Sequence, residues 1–228
     1  MNRPIVLVHG AFHGSWCWDR VTPHLDAAGV TWVAPDLPSC AEAAAGALLK
    51  DDVAAVREVL DALPGDEHAV MLGHSRGGAV ITEAGVHDRV GSLVYLTALL
   101  VDDGEDATEH VSQDLSKAVR ANDDGSISVN PGWDAALFYN DCTGDDVAWA
   151  TNQLRSQNLA LEVVNSERAW SLKPSIYVVC SRDKAIPPAS QRAMASRVQT
   201  TLEWDTGHSP FLNRPDLVAA LLVGLSKG

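Results

Sequence analysis

The sequence predicts an α/β protein: a doubly wound, mostly parallel sheet forming a single domain, with an insertion. Three observations carry this reading. Short runs of β-branched and aliphatic residues recur along the chain, segments with apolar residues every three to four positions lie between them, and four of the runs are apolar on both faces, as parallel strands covered by helices are. The length of 228 residues suits one core of this class.

Taken in order, Ile5-Val6-Leu7-Val8 reads as a buried strand running into His9-Gly10-Ala11-Phe12-His13-Gly14. Val21, Leu25 and Ala28 keep helical spacing up to Gly29, and Thr31-Trp32-Val33-Ala34 is a second strand. Ala41 to Ala47 reads as loop and helix start. Val53, Val56, Val59, Leu60 and Leu63 mark the apolar face of a helix that stops at Pro64-Gly65. Ala69-Val70-Met71-Leu72 and Leu93-Val94-Tyr95-Leu96 are two further buried strands. Residues 101–170 then break the alternation. They open on Asp102-Asp103-Gly104-Glu105-Asp106, contain Asn122-Asp123-Asp124-Gly125, and hold Trp133, Phe138, Tyr139, Trp149 and Trp170. A mainly helical cap, inserted within one domain spanning 1–228, is expected here. Ile176-Tyr177-Val178-Val179 and Thr200-Thr201-Leu202-Glu203-Trp204 complete the strands.

Composition narrows the function. With 17 Lys+Arg against 30 Asp+Glu the formal net charge is −13, which argues against nucleic acid or an anionic membrane as partner, since both reward clustered cations. Hydrophobic residues make up 46% and charged residues 21%, enough apolar material for a sizeable core. No signal-peptide core is visible near Met1, and the longest charge-free apolar stretch, Val90 to Val101, falls short of the roughly 20 residues a spanning helix needs. Cys17, Cys40, Cys142 and Cys180 are widely spaced, with no C-x-x-C pair and no zinc-like Cys/His cluster. Four reduced thiols, a cytoplasmic location, no metal and no cofactor are the expectations.

Directly after the third strand comes Gly73-His74-Ser75-Arg76-Gly77-Gly78-Ala79, the G-x-S-x-G pattern of a strained strand-to-helix turn that exposes a serine hydroxyl. Alone the pentapeptide is a weak signal; its place between a buried strand and a helix-compatible segment makes Ser75 the candidate nucleophile. A serine needs a base, itself oriented by a third group. Trp204-Asp205-Thr206-Gly207-His208 follows the last strand and offers His208, whereas His24, His68, His87 and His110 read as surface residues and His9 as a structural brace. Asp183, in the loop leaving the Ile176 strand, is the candidate carboxylate, with Asp102 as runner-up and Asp205 too near His208 in sequence. Backbone amides of Ala11 and Arg76 are the candidate donors to a developing oxyanion; no role is assigned to the Arg76 side chain. Phe12, Trp133, Phe138 and Trp149 are the candidate substrate-binding residues.

With these residues in place the chain resembles the α/β-hydrolase fold, and within it the branch of small methyl esterases, hydroxynitrile lyases and related bacterial esterases. The resemblance rests on Val8-His9-Gly10-Ala11-Phe12-His13-Gly14-Ser15-Trp16-Cys17-Trp18, Gly73-His74-Ser75-Arg76-Gly77-Gly78, Tyr177-Val178-Val179-Cys180-Ser181-Arg182-Asp183-Lys184-Ala185-Ile186-Pro187 and Gly207-His208. It covers residues 4–38, 68–100 and 172–222 but not the cap. It implies a Ser75-His208-Asp183 triad, no cofactor, and hydrolysis of small, largely apolar carboxylic esters through an acyl-enzyme. In the lyases a threonine stands at the place of Gly10 and a lysine at the place of Ser209, so hydrolysis is favoured here. A lyase-like or lactone-opening enzyme and a slow-turnover binding protein stay open as alternatives. The expected partner is a small-molecule ester, with a homodimer left open.

Overall fold

The computed structural model describes residues 2–40, 46–102, 104–158 and 168–228; most of the alanine-rich tract 41–47 therefore lies outside the described residues. The strands are β1 (Ile5–Val8), β2 (Trp32–Val33), β3 (Ala69–His74), β4 (Val90–Leu96), β5 (Val119–Ala121), β6 (Ile127–Val129), β7 (Ser175–Cys180) and β8 (Thr200–Trp204). Six of them form one sheet in the order β2-β1-β3-β4-β7-β8, every neighbouring pair parallel. The chain runs outward from β1 to β2, returns to the other side of β1 as β3, and then continues through β4, β7 and β8. The order thus reverses between β1 and β3, and the crevice outside the carboxyl ends of those two strands is where such sheets bind ligands.

The helices are α1 (Thr22–Ala27), α2 (Leu49–Asp61), α3 (Gly77–Ala84), α4 (Gln113–Lys117), α5 (Trp133–Leu137), α6 (Gly144–Thr151), α7 (Ala169–Leu172), α8 (Pro188–Ala195), α9 (Pro210–Asn213) and α10 (Pro215–Ser226). Strand alternation feeds a core on each face of the sheet. Val6, Val8 and Met71 point toward Val56, Leu60 and Ile81 of α2 and α3, while Ile5, Leu7 and Leu72 point toward Leu25 of α1 and Val218 and Leu222 of α10. All four β1 side chains are fully buried, each contributing about 1.5–3 kcal/mol by removal from water. Both-face burial is the physical reason these runs carry no polar alternation.

The expected strand at Thr31–Ala34 contracts to Trp32–Val33, because this edge strand pairs on one side only and is half-buried. The insertion contains more than helices. An antiparallel pair, β5 and β6, turns through Asn122–Gly125, where Gly125 adopts φ +82°; polar turn residues flanked by three-residue strands leave too short a pattern to read in advance. Among the described residues no helix is long and apolar enough to cross a membrane. The four cysteines form no disulfide, and burial pushes the Cys40 and Cys142 thiols up to about 12.

Candidate active site

Ser75 sits where β3 ends and α3 begins, with φ +52°. That left-handed conformation costs a non-glycine residue about 1–3 kcal/mol and survives only where its surroundings fix it. Here the Ser75 carbonyl accepts hydrogen bonds from Gly78 N–H at 3.0 Å and Leu99 N–H at 2.9 Å. The glycine two residues on is required by contact: a Cβ on Gly77 would lie 2.6 Å from the Val8 and His9 carbonyl oxygens at the end of β1. The elbow and the first strand therefore touch backbone to backbone, which brings the His9–Gly14 loop over Ser75.

His208 and Asp183 arrive from the exits of β8 and β7. His208 Nδ1–H donates to Asp183 Oδ2 at 2.7 Å, both side chains being buried. The same carboxylate accepts from Ala185 N–H at 2.7 Å and Ile186 N–H at 2.9 Å through Oδ1, and from Gln191 at 3.0 Å and the Thr97 hydroxyl through Oδ2. With all its donors on the protein, Asp183 has its orientation settled before any ligand binds. The His208 main chain is held as well, since His74 Nε2–H donates to its carbonyl at 2.8 Å. The competing carboxylates lie elsewhere: Asp102 pairs with Arg168 at 2.7 Å, and Asp205 is an exposed residue paired with Arg182 at 3.1 Å. No hydrogen bond joins Ser75 Oγ to His208 among the described residues, an open arrangement common before substrate binds.

The loop after β1 is braced residue by residue. His9 Nδ1–H donates to Gly10 C=O at 2.8 Å and His9 Nε2 accepts from Leu37 N–H at 3.0 Å, which is the bracing role its position suggested. His13 Nδ1–H donates to Ala11 C=O at 2.6 Å, and Tyr139 O–H donates to His13 Nε2 at 2.9 Å. Phe12, at φ +64°, gives its N–H to Gln157 Oε1 at 2.8 Å and takes Arg155 N–H on its carbonyl at 2.8 Å. Both peptide planes that meet at Ala11 are thereby clamped. The amides of Ala11 and Arg76 have no acceptor among the described residues. Burial drives His9 down to about 4, His13 to about 3 and His74 well below the ordinary histidine range, so all three are neutral rings at pH 7.

Ser75, His208, Ala11, Arg76 and Phe12 all line one cavity of about 630 Å³, a size suited to a small organic molecule. Leu99 and Ile186 extend its apolar wall, and the insertion closes the opposite side with Val111, Leu115, Val119 and Phe138. Of the four candidate binding residues, Phe12 and Phe138 are in the wall, stacked 6.2 Å apart between centroids. Trp149 instead meets Trp16 edge to face at 5.3 Å beneath Arg20, and Trp133 packs against the core on that side of the sheet. Neither lines the cavity, because both are half-buried against the core on the α1 and α10 side of the sheet. His13, Thr97, Gln157 and Gln191 were not among the residues singled out in the sequence. Gln191, a polar residue on the buried face of α8, is the one with a readable signal. Among the described residues no group of three or more His, Cys, Asp or Glu side chains could hold a metal ion.

Residues 5–221 match the family model described as the alpha/beta hydrolase family. Methylesterase 7 of Arabidopsis thaliana is 30% identical over an alignment covering 99% of this chain and 96% of that protein. Among solved structures, polyneuridine aldehyde esterase superposes with a TM-score of 0.86 at 23% identity, covering 99% of this chain and all of the other. Tomato methylketone synthase I superposes with a TM-score of 0.85 at 22% identity, covering 100% and 98%.

Proposed function

This chain belongs to the alpha/beta hydrolase family, and from that premise we propose that it is a serine hydrolase of small, largely apolar carboxylic esters, working through an acyl-enzyme. The observation that carries the reading is the buried His208–Asp183 pair, 2.7 Å apart, whose ring shares one apolar cavity with Ser75 and two amides that have no acceptor among the described residues. The name methylesterase borne by a full-length relative agrees with it.

In this mechanism Ser75 Oγ attacks the ester carbonyl while His208 Nε2 takes its proton, and the oxyanion forms between the amides of Ala11 and Arg76. One such donor is worth about 2.7–4 kcal/mol of barrier. His208 returns the proton to the leaving alkoxide, and a water activated by the same nitrogen then cleaves the acyl-Ser75 bond. Asp183 keeps Nδ1 protonated so that Nε2 is the basic nitrogen, and it stabilises the imidazolium that forms. Ester substrates need no cationic anchor, and none of the acyl steps uses one. Hydrolysis is favoured over cyanohydrin cleavage by two positions. A threonine at Gly10 would begin with a Cβ 2.8 Å from Ser75 Cβ, and the residue after His208 is Ser209, whose buried hydroxyl carries no charge.

A panel of chromogenic esters of increasing acyl length, run beside Ser75→Ala, tests the proposal. Wild type should turn over the shorter members, and the variant should lose on the order of 10⁴–10⁶ in kcat while keeping its fold. Turnover that survives in Ser75→Ala, or product lacking label from H₂¹⁸O, would reject it.

A further inference from the structure

Arg76 follows Ser75, yet its side chain turns away from the cavity into a dry polar chain. Arg76 Nη1–H donates to Asp52 Oδ2 at 2.6 Å, with side-chain exposures of 3% and 0%. Asp52 accepts the Ser39 hydroxyl on Oδ2 at 2.7 Å and Ser39 N–H on Oδ1 at 2.9 Å. Ser39 Oγ in turn accepts Gln157 Nε2–H at 3.0 Å, and Gln157 Oε1 accepts Phe12 N–H at 2.8 Å. The donors run from Phe12 through Gln157 and Ser39 to Asp52, which takes Arg76 from the other end, so the amide of Gln157 has only one orientation that satisfies both its partners. The chain begins at the residue whose N–H is one oxyanion donor and ends on the peptide plane adjoining the other, Ala11.

A buried ion pair gives little net stability compared with apolar side chains of the same volume. This one also leaves Arg76 Nε and Nη2 without a partner among the described residues. Its cost is offset if the pair fixes something. Phe12 holds a left-handed conformation, φ +64°, that an aromatic residue adopts only when constrained, and Gln157 supplies the constraint on its N–H. We propose that Asp52, Ser39 and Gln157 are positioning residues that carry the placement of the Arg76 side chain to the Phe12 amide. Arg76 thereby supplies one oxyanion amide and aims the other. This rests on the acyl-transfer reading above, and it adds a coupling between two loops separated by more than sixty positions in the chain.

Gln157→Met keeps the side chain's length and removes both hydrogen bonds; Ser39→Ala, which deletes a single oxygen, carries the same test if the first variant does not fold. The probes are 4-nitrophenyl butyrate turnover and inhibition by butylboronic acid, whose adduct on Ser75 places an oxygen in the oxyanion position. Losing one oxyanion donor outright costs about 10²–10³ in kcat, so a misaimed donor should cost about 10- to 100-fold. The boronate should weaken by the same factor while KM changes less than about threefold, a split that simple loosening of the fold would not produce. Arg76→Met with Asp52→Leu removes both charges together and should give a similar loss, and adding Gln157→Met to that pair should give little more. The inference is overturned if folded Gln157→Met and Ser39→Ala retain wild-type kcat and boronate affinity, or if the losses multiply as independent effects. Either result with Ser75→Ala inactive would leave the hydrolase reading standing; an active Ser75→Ala would remove both.

Discussion

Acidification should destabilise this protein before its carboxylates titrate, because three histidines are buried as neutral rings. His9, His13 and His74 are fully buried or nearly so, and burial lowers their affinity for protons, to about 4 and about 3 in the first two and well below 6.5 in the third. In the unfolded chain each binds a proton near 6.5. Between pH 6.5 and about 4 the unfolded state therefore carries up to three more protons than the folded one, and stability falls as pH falls. At pH 5 His9 and His13 have each cost about 2 kcal/mol relative to pH 7.5, about 4 kcal/mol together, and His74 acts in the same direction. Domains of this kind hold only about 5–15 kcal/mol in total. Urea unfolding followed by tryptophan fluorescence at pH 7.5, 6 and 5 measures this directly, and His13→Gln should recover about 2 kcal/mol of the loss. An unfolding free energy at pH 5 within 1 kcal/mol of that at pH 7.5 would refute the assignment of these rings as buried and neutral.

Other perturbations have equally definite outcomes. Asp183→Asn should keep the fold but present His208 with a donor where it needs an acceptor, lowering kcat by about 10⁴ in the same ester assay. A Cβ on Gly10 would lie 2.8 Å from Ser75 Cβ and 2.9 Å from His74 Nδ1; Gly10→Ala should therefore displace the elbow, depress kcat at least about 10-fold and cost about 1–3 kcal/mol of stability in urea unfolding. Phe138→Ala opens the cavity wall and should change KM and acyl-length preference, whereas Trp149→Phe, packed on Trp16 outside the cavity lining, should leave both unchanged in steady-state kinetics.

Most of what positions the site was legible because it follows from local rules. β1 and β3 could be read since strands buried on both faces cannot hide polar residues, and Ser75 because a left-handed serine at a strand exit demands glycine where backbones touch. Asp183 and His208 could be read from strand exits alone: parallel strands deliver their carboxyl ends to one edge, so residues 25 positions apart meet there. The insertion resisted for the opposite reason. Its helices α4, α5 and α6 are five, five and eight residues long, too short for a clear periodic signal, so nothing separated cavity-lining Phe138 from Trp149, which packs on Trp16. Gln157 was invisible because its role lies in two partners, Phe12 and Ser39, over a hundred residues away. The polarity of Arg76 was readable, but the cation beneath the elbow acquires meaning only once Asp52 of α2 is seen below it.

The two ends of the insertion are joined to the body in different ways, and this limits how the protein could be re-engineered. Between Ala107 and Val119 the insertion walls the cavity and reaches the body through Ser112 N–H on the Ala185 carbonyl at 2.8 Å, a main-chain contact a graft can keep; at Arg155 and Gln157 it holds the Phe12 backbone by both its N–H and its C=O. A chimera that borrows the first stretch from another hydrolase should acquire a new acyl preference on an intact engine. One that exchanges the whole insertion would import a foreign cavity wall and at the same time unfasten the loop that carries the proposed oxyanion amide of Ala11, so grafts should be spliced upstream of residue 155.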